Sequence, residues 1–276
     1  MIFATIYGSA LTFLALQRLF FDVQVALIEG LVYTVLLGAT TAFTCVQKTA
    51  FVSSRAPISQ LVVCIFVVVF TGVVAACYNG LVNTNFIQAI AFVESFSSAA
   101  EKTPRWLTFG AIQFILYVAL TLVLLIPFRV CVAELGIRFS IRSTLITALI
   151  WLTPAVAYLL LQLHQGLVDH TAVMGNLIRN TFQDGFSEEF LFRGALMSSL
   201  ANVVSLPWAI LIQAIIFGFW HIGFVLTHSH QPLMTTLCLI CVHQILFGYG
   251  MGCLQARVGS LIVPSLFHAV TDSIIV

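Results

Sequence analysis

The chain has 276 residues, of which 61% are hydrophobic and only 8% are charged, and its formal net charge is +1. Soluble globular domains carry about 25% charged residues, so this composition excludes an ordinary soluble protein. The sequence also lacks a basic cluster that could hold a phosphate backbone, so no nucleic-acid partner is expected.

Long apolar segments run through the whole chain. Many have the roughly 18–22 residues that cross a hydrocarbon core of about 30 Å, and they lack the alternation typical of porin strands. A backbone exposed to lipid must satisfy its own hydrogen bonds, so we expect these segments to be helices. The segments lie near residues 3–17, 22–46, 57–79, 106–128, 144–163, 184–203, 207–227, 233–254 and 259–276.

These segments predict an all-α fold, a polytopic transmembrane helical bundle of about eight spans. The first segment is short, so the number could be one higher or lower. Residues 1–276 would form a single integral membrane domain surrounded by membrane lipids. Its location would be the cytoplasmic membrane of a bacterium or the endoplasmic reticulum of a eukaryote.

Two connections carry information about topology. In residues 83–106 the apolar positions recur at helical spacing, so a short interfacial helix and an ordinary connection both stay open. Lys102 and Arg105 predict the water boundary there, with Trp106 as an interfacial anchor. Residues 129–144 form the most basic connection, which the positive-inside tendency places on the cytoplasmic side.

Ionisable residues inside the apolar segments are concentrated in the second half of the chain. The first half contains chiefly Glu29, whereas the second half contains Glu188, Glu189, Arg193, His221, His243, His268 and Asp272. A charge at the membrane centre costs roughly 2.5–3.5 kcal/mol on insertion scales, so this group predicts an intramembrane polar cavity. Structural contacts between helices are the alternative, but each contributes only about 0.6 kcal/mol.

The stretch "SEEFLFRGAL" separates two neighbouring glutamates by helix geometry. Glu189 and Arg193 are four residues apart, so they share a helix face and can pair. Glu188 is rotated by about 100° from Glu189 and must face elsewhere. Burial without a cation disfavours its carboxylate form, which suits a general base that works near neutral pH.

Two later segments supply histidines at the same helical spacing. Phe217 and His221 are four residues apart, and so are His268 and Asp272. Each histidine alone is more typical of a structural contact. Together with Glu188 they form a set from three helices that could hold a water, a developing oxyanion or a metal.

These residues resemble the motifs of a known family. "EEFLFR" is similar to its E-E-x-x-x-R motif, "FGFWH" to F-x-x-x-H, and "HAVTD" to H-x-x-x-N/D, in the family's order. The family comprises the CAAX-protease and bacteriocin-processing intramembrane proteases, which include the type II CAAX prenyl endopeptidase. The resemblance covers about residues 130–276, whereas residues 1–128 match only in being membrane-spanning.

The resemblance implies an eight-helix core whose cavity opens to the membrane and to one aqueous face. It implies that Glu188 activates water with help from His221, and that His268 and Asp272 bind the carbonyl oxygen or orient the attacking group. Glu189, Arg193 and Phe217 would support them. Asp272 departs from the asparagine of many relatives, and an ionised carboxylate cannot donate to an oxyanion.

The expected activity is therefore that of an intramembrane endopeptidase acting on a peptide or protein, lipidated or not. A non-catalytic scaffold or immunity protein with the same fold is one alternative, and a proton-coupled transporter is another. Transporters often show similar halves, which this sequence lacks.

We expect no cofactor, because glutamate-activated water needs only a base and polarising donors. Zinc is the alternative, with Glu188, His221 and His268 as ligands, although the sequence has no H-E-x-x-H motif. The roles of His243 and Glu29 stay open. His243 could pack or face the cavity, and Glu29 could snorkel, pair with an arginine or mark a lateral opening.

Overall fold

The computed structural model describes residues 2–44, 56–78, 110–130, 132–137 and 140–274. Within these ranges the chain forms ten helices and no strand, so the all-α prediction is confirmed. The predicted interfacial segment, with Lys102, Arg105 and Trp106, lies outside the described residues. So does Arg138 of the basic connection.

In chain order the helices are α1 (Ile2–Leu16), α2 (Phe20–Phe43), α3 (Pro57–Tyr78), α4 (Gly110–Phe128), α5 (Ile141–His164), α6 (170–201), α7 (Leu206–Trp220), α8 (Ile222–Ser229), α9 (Leu233–Val258) and α10 (Ile262–Ile274). From α5 to α10 the helices follow one another with connections of five residues or fewer. A 3₁₀ turn, Val132–Leu135, lies between α4 and α5. Four π-helical segments interrupt the regular winding, at Phe114–Ala119, Thr181–Phe186, Phe190–Leu196 and Ile240–Ile245.

Five of the described helices are long and apolar enough to cross a membrane, namely α2, α3, α4, α5 and α9. The pair α7 and α8, bent by 40°, makes a sixth if it counts as one span. The sequence predicted about eight. The 13 residues of α10 span only about 20 Å at 1.5 Å per residue. Helix α6 is longer but carries Asp184, Glu188, Glu189 and Arg193 within ten residues.

Helix α6 lies at the centre of the described bundle. Its residues 187–200 are buried without exception, because α3, α4, α7, α9 and α10 all pack against this helix. A central helix can carry charged side chains, since protein rather than lipid surrounds them on every side. The central position of α6 therefore explains why this segment carries several charged residues and is nevertheless deeply buried.

Small residues allow the helices around α6 to approach closely. A Cβ on Gly185 of α6 would lie 2.5 Å from the carbonyl oxygen of Ser265 in α10 and 3.1 Å from the Cβ of Ala269. A Cβ on Gly248 of α9 would lie 3.1 Å from the Cα of Ala214 in α7. Side chains at these positions would push apart the helices that carry the polar groups.

Polar contacts attach α2 to the second half of the chain. The indole N–H of Trp151 donates to Thr40 Oγ1 at 2.8 Å. The Arg257 guanidinium donates to the carbonyl oxygen of Thr41 at 2.8 Å and to that of Thr44. Thr41 belongs to the last turn of α2 and Thr44 follows its end, so Arg257 caps the C-terminal end of this helix.

Glu29 and His243, whose roles the sequence left open, form a pair between α2 and α9. The Nδ1 atom of His243 lies 2.8 Å from Glu29 Oε2. The two side chains are only partly buried, with 37% of Glu29 and 26% of His243 exposed. Each lies near the middle of a candidate membrane span, so the contact satisfies a carboxylate that lipid would otherwise strongly disfavour.

We expect Glu29 and His243 to stabilise each other. In a double-mutant cycle with Glu29→Gln and His243→Leu, the two changes should couple by about 0.6 kcal/mol, with an upper limit near 1.7 kcal/mol for such membrane contacts. The free energy of unfolding in detergent, measured for the wild type, both single variants and the double variant, gives this coupling. Strictly additive effects would contradict the pairing.

Candidate active site

The structure brings all seven residues of the predicted site together at the centre of the bundle. Helix α6 carries three of them, the junction of α7 and α8 carries two, and α10 carries two. A continuous set of contacts, each described below, links Glu188, Glu189, Arg193, Phe217, His221, His268 and Asp272.

Glu189 lies between two side chains that can carry a positive charge. Its Oε1 lies 3.2 Å from Nη1 of Arg193, one turn further along α6, and 3.0 Å from Nδ1 of His268 on α10. Both Glu189 and Arg193 are completely buried. A buried carboxylate is tolerated only when it is paired, so Glu189 joins two helices while its charge is compensated.

Aromatic rings hold the Arg193 guanidinium in place. Its central carbon lies 4.2 Å from the ring centroid of Phe217 and 5.7 Å from that of Phe247. Cation–π contacts of this kind strengthen when water is excluded. The Phe247 ring also packs on His268, with centroids 4.6 Å apart. The first residue of the F-x-x-x-H motif thus supports the cation on α6, and Phe247 of α9 has a similar position.

Glu188 faces a different set of groups. Its Oε2 lies 3.6 Å from Nε2 of His221 and 4.0 Å from Nε2 of His268. Both distances are too long for a direct hydrogen bond, and Glu188 Oε2 has no hydrogen-bond partner among the described residues. Only 4% of the residue is exposed. A water with bonds of about 2.8 Å to each atom could bridge polar groups at this separation.

His221 occupies the bend between α7 and α8. Its backbone (φ −81°, ψ 0°) departs from helical geometry, and the two helices meet there at 40°. The Nδ1 atom lies 2.8 Å from the carbonyl oxygen of Phe217. A carbonyl only accepts, so Nδ1 carries the proton and Nε2 of the neutral ring presents a lone pair toward Glu188.

His268 has a carboxylate at each ring nitrogen. Nδ1 lies 3.0 Å from Glu189 Oε1, and Nε2 lies 3.3 Å from Asp272 Oδ2 and 4.0 Å from Glu188 Oε2. Only the doubly protonated ring can donate on both sides. Asp272 is 34% exposed, so it lies at the rim of the cluster while Glu188 lies inside.

The donor set does not have the arrangement of a metal site. In the part of the chain that the structure describes, no three His, Cys, Asp or Glu side chains are grouped so that they could hold a metal ion. His268 is one of the three residues considered as zinc ligands, and it has a carboxylate at each ring nitrogen. When it donates to both carboxylates, it has no lone pair left for a metal. Cys238 and Cys241 of α9 have the C-x-x-C spacing, and both are free thiols.

Three further side chains belong to the surroundings of the site and were missed by the sequence analysis. Asp184 interacts electrostatically with Asp272 and His268. Tyr33 interacts with Arg193, and Tyr117 with Glu188. Asp184 precedes Glu188 by four residues, a spacing that could have placed it on the same face. The tyrosines come from α2 and α4, and no motif marks them.

The π-helical segments carry several of the polar side chains described above. Each of the four carries one polar side chain that faces the cluster or pairs within the membrane: Tyr117, Asp184, Arg193 and His243. A π turn widens the helix by one residue and re-aims the side chains beside it, and such turns are frequent at functional sites. Apolar periodicity does not reveal them.

Comparison with known proteins gives one match. Residues 170–274 match the family model described as type II CAAX prenyl endopeptidase Rce1-like, which confirms the resemblance seen in the three motifs. The matched stretch begins at α6 rather than near residue 130 and contains all seven predicted site residues. No curated protein and no solved structure matches the chain.

We expect Arg193→Ala to destabilise the protein strongly. It removes one of the two cations on Glu189, and breaking a buried pair typically costs about 3–5 kcal/mol. Arg142→Ala, at an exposed position of α5, is the matched control and should melt like the wild type in detergent. Adding Glu189→Gln to Arg193→Ala should recover part of the loss. No recovery would mean that the cost is lost packing and not an orphaned charge.

Proposed function

We propose, from the match of residues 170–274 to the type II CAAX prenyl endopeptidase family, that this chain is an intramembrane endopeptidase. The family supports a function of the CAAX-protease type. The catalytic residues and the glutamate-type mechanism given below are our proposal.

The observation that carries the proposal is the difference between two adjacent glutamates. Glu189 is neutralised by Arg193 and His268. Glu188 is equally inaccessible, but it faces the Nε2 atoms of two histidines at 3.6 and 4.0 Å. Glu188 is a buried carboxylate that can accept a proton, and the imidazole nitrogen beside it can accept a hydrogen bond. This arrangement is suited to removing a proton from water.

The reaction would begin with a water between Glu188 and His221. Glu188 takes a proton from this water while His221 Nε2 accepts a hydrogen bond from the other proton. The water oxygen forms a bond to the peptide carbonyl carbon, and the carbonyl electron pair moves onto its oxygen. The C–N bond then breaks, and the leaving amine takes the proton that Glu188 received.

His268 would stabilise the charge that develops on the carbonyl oxygen. As a doubly protonated ring it carries a positive charge close to Glu188, in a position shielded from water, where electrostatic stabilisation is strong. Asp272, at 3.3 Å from its Nε2, cannot donate to an oxyanion while it is ionised. We therefore assign Asp272 to orienting His268 and stabilising its charge.

No step of this scheme passes through a metal. A zinc ion held by Glu188, His221 and His268 would need lone pairs on both histidines, and His268 donates on both sides in the arrangement described above. A glutamate-type peptidase is thus the better assignment for this donor set, and a metallo-endopeptidase is the less favoured one.

The substrate would be a peptide or protein that reaches the site within an eight-helix core, through a polar cavity open to the membrane. If the protein is eukaryotic and lies in the endoplasmic reticulum, or if it is archaeal, we expect its substrate to be a prenylated C-terminal CAAX sequence. Other membrane-associated peptides are the expectation for a bacterial cytoplasmic membrane. Lipids are the remaining partners.

We expect Glu188→Gln to lower the rate of cleavage of a fluorogenic farnesylated CAAX peptide by at least about 100-fold, since general-base catalysis contributes 10²–10⁴-fold. The variant should insert and melt like the wild type, because the amide is isosteric and no paired charge is orphaned. Glu134→Gln, an acid outside the cluster, serves as the control. Turnover of Glu188→Gln at the wild-type rate would refute the general-base assignment.

Asp272→Asn should change the pH dependence of the reaction. Loss of the carboxylate makes the charged form of His268 less favourable, so the ring loses its proton at a lower pH. The alkaline limb of the pH–rate profile should therefore move to lower pH, by about one unit for an opposite charge at this distance. An Asn variant that is faster, with an unshifted profile, would show instead that the position serves as a hydrogen-bond donor.

A further inference from the structure

The proposed site stabilises the developing oxyanion through the charge of His268, whose two N–H groups face Glu189 and Asp272, and Asp272 stands where an amide could have supplied a donor. We propose that Tyr117 of α4 is a further catalytic residue, whose O–H donates a hydrogen bond to the carbonyl oxygen of the substrate. This inference rests on the proposed function. It assigns a role in the chemistry to a helix outside the family-matching residues 170–274.

Helix packing places Tyr117 beside the catalytic turn of α6. The π segment Phe114–Ala119 packs against Ser187–Glu189 and against the next π segment of α6. Phe114 stacks on Phe186 with ring centroids 6.2 Å apart. Tyr117 belongs to the same π segment as Phe114, and only 3% of the residue is exposed.

The surroundings of the Tyr117 ring connect it to the two groups that would activate water. Its ring meets that of Trp220 edge-on at 5.8 Å, and Trp220 in turn packs on His221 at 5.0 Å. The hydroxyl interacts electrostatically with Glu188 and Asp184. Trp220 thus lies between the Tyr117 ring and His221, the histidine that would hold the attacking water.

The hydrogen bonding of Tyr117 leaves its proton available for donation. The Gln113 side chain, one turn earlier on α4, is hydrogen-bonded to the Tyr117 hydroxyl. Gln113 Oε1 has no hydrogen-bond partner among the described residues, so the bond runs from the Gln113 amide N–H to the tyrosine oxygen. The proton of Tyr117 is not used in this bond, so it can be donated to a substrate carbonyl oxygen.

A phenylalanine would fit the packing around this position as well as a tyrosine. The ring belongs to a cluster of buried apolar side chains, and burying a hydroxyl without full hydrogen bonding costs about 1–3 kcal/mol in proteins. A donor role explains what the hydroxyl contributes in return. As the water oxygen bonds to the carbonyl carbon, Tyr117 donates to the oxyanion while the positive charge of His268 stabilises it, and neither residue transfers its proton to it.

The test is Tyr117→Phe, assayed with the fluorogenic farnesylated CAAX peptide. Removing one oxyanion donor lowers kcat by about 100-fold or more, and KM should change little, because the bond forms fully only in the transition state. Tyr158→Phe is the matched control, since it removes the same hydroxyl from an exposed position on α5. It should leave kcat unchanged.

A second variant separates chemistry from folding. Incorporating 3-fluorotyrosine at position 117 keeps the shape of the side chain and its O–H. The kcat of this variant should equal or exceed that of the wild type. A kcat as low as that of Tyr117→Phe would overturn the proposal. A wild-type kcat in Tyr117→Phe also overturns it and leaves the proposed function intact. If the wild type cleaves neither a prenylated peptide nor another membrane-associated peptide, the proposed function fails and the role of Tyr117 fails with it.

Discussion

One carboxylate oxygen, Oε1 of Glu189, organises the centre of this protein. It lies within 3.2 Å of an arginine from its own helix and within 3.0 Å of a histidine from α10. In a medium of low dielectric constant, burying an unpaired charge is costly. The burial of Glu189, Arg193 and His268 therefore depends on their contacts with one another. Arg193 and His268 Nδ1 both contact Oε1 of Glu189, whereas Oε2 of the neighbouring Glu188 faces two histidine nitrogens at 3.6 and 4.0 Å.

The backbone geometry makes this charge arrangement possible. Helix α6 is surrounded by protein, and Gly185 allows α10 to approach until His268 reaches Glu189. The bend after α7 turns His221 so that one ring nitrogen donates to Phe217 and the other faces Glu188. The site is thus built from side chains of three helices, while α2 and α4 contribute tyrosines at its periphery.

Periodicity and spacing predicted the helical class, and they placed Glu189 with Arg193, Phe217 with His221 and His268 with Asp272, pairs that are in contact in the structure. These properties depend on residues one turn apart, which sequence spacing records directly. The contact of Glu189 with His268 and the pairing of Glu29 with His243 join residues far apart in the chain, so no local pattern contains them. The number of spans was harder to predict, because α6 and α10 are buried among other helices and need not be long or uniformly apolar.

The central claim, that Glu189 holds His268 as a cation while Glu188 stays unpaired, is tested most directly by the protonation of the histidine rings. Nitrogen-15 NMR of histidine-labelled protein, with His221 and His268 assigned by single substitutions, reports each ring nitrogen separately. At neutral pH, both nitrogens of His268 should be protonated, and His221 should be neutral with its proton on Nδ1. A neutral His268 with one unprotonated nitrogen would contradict the account.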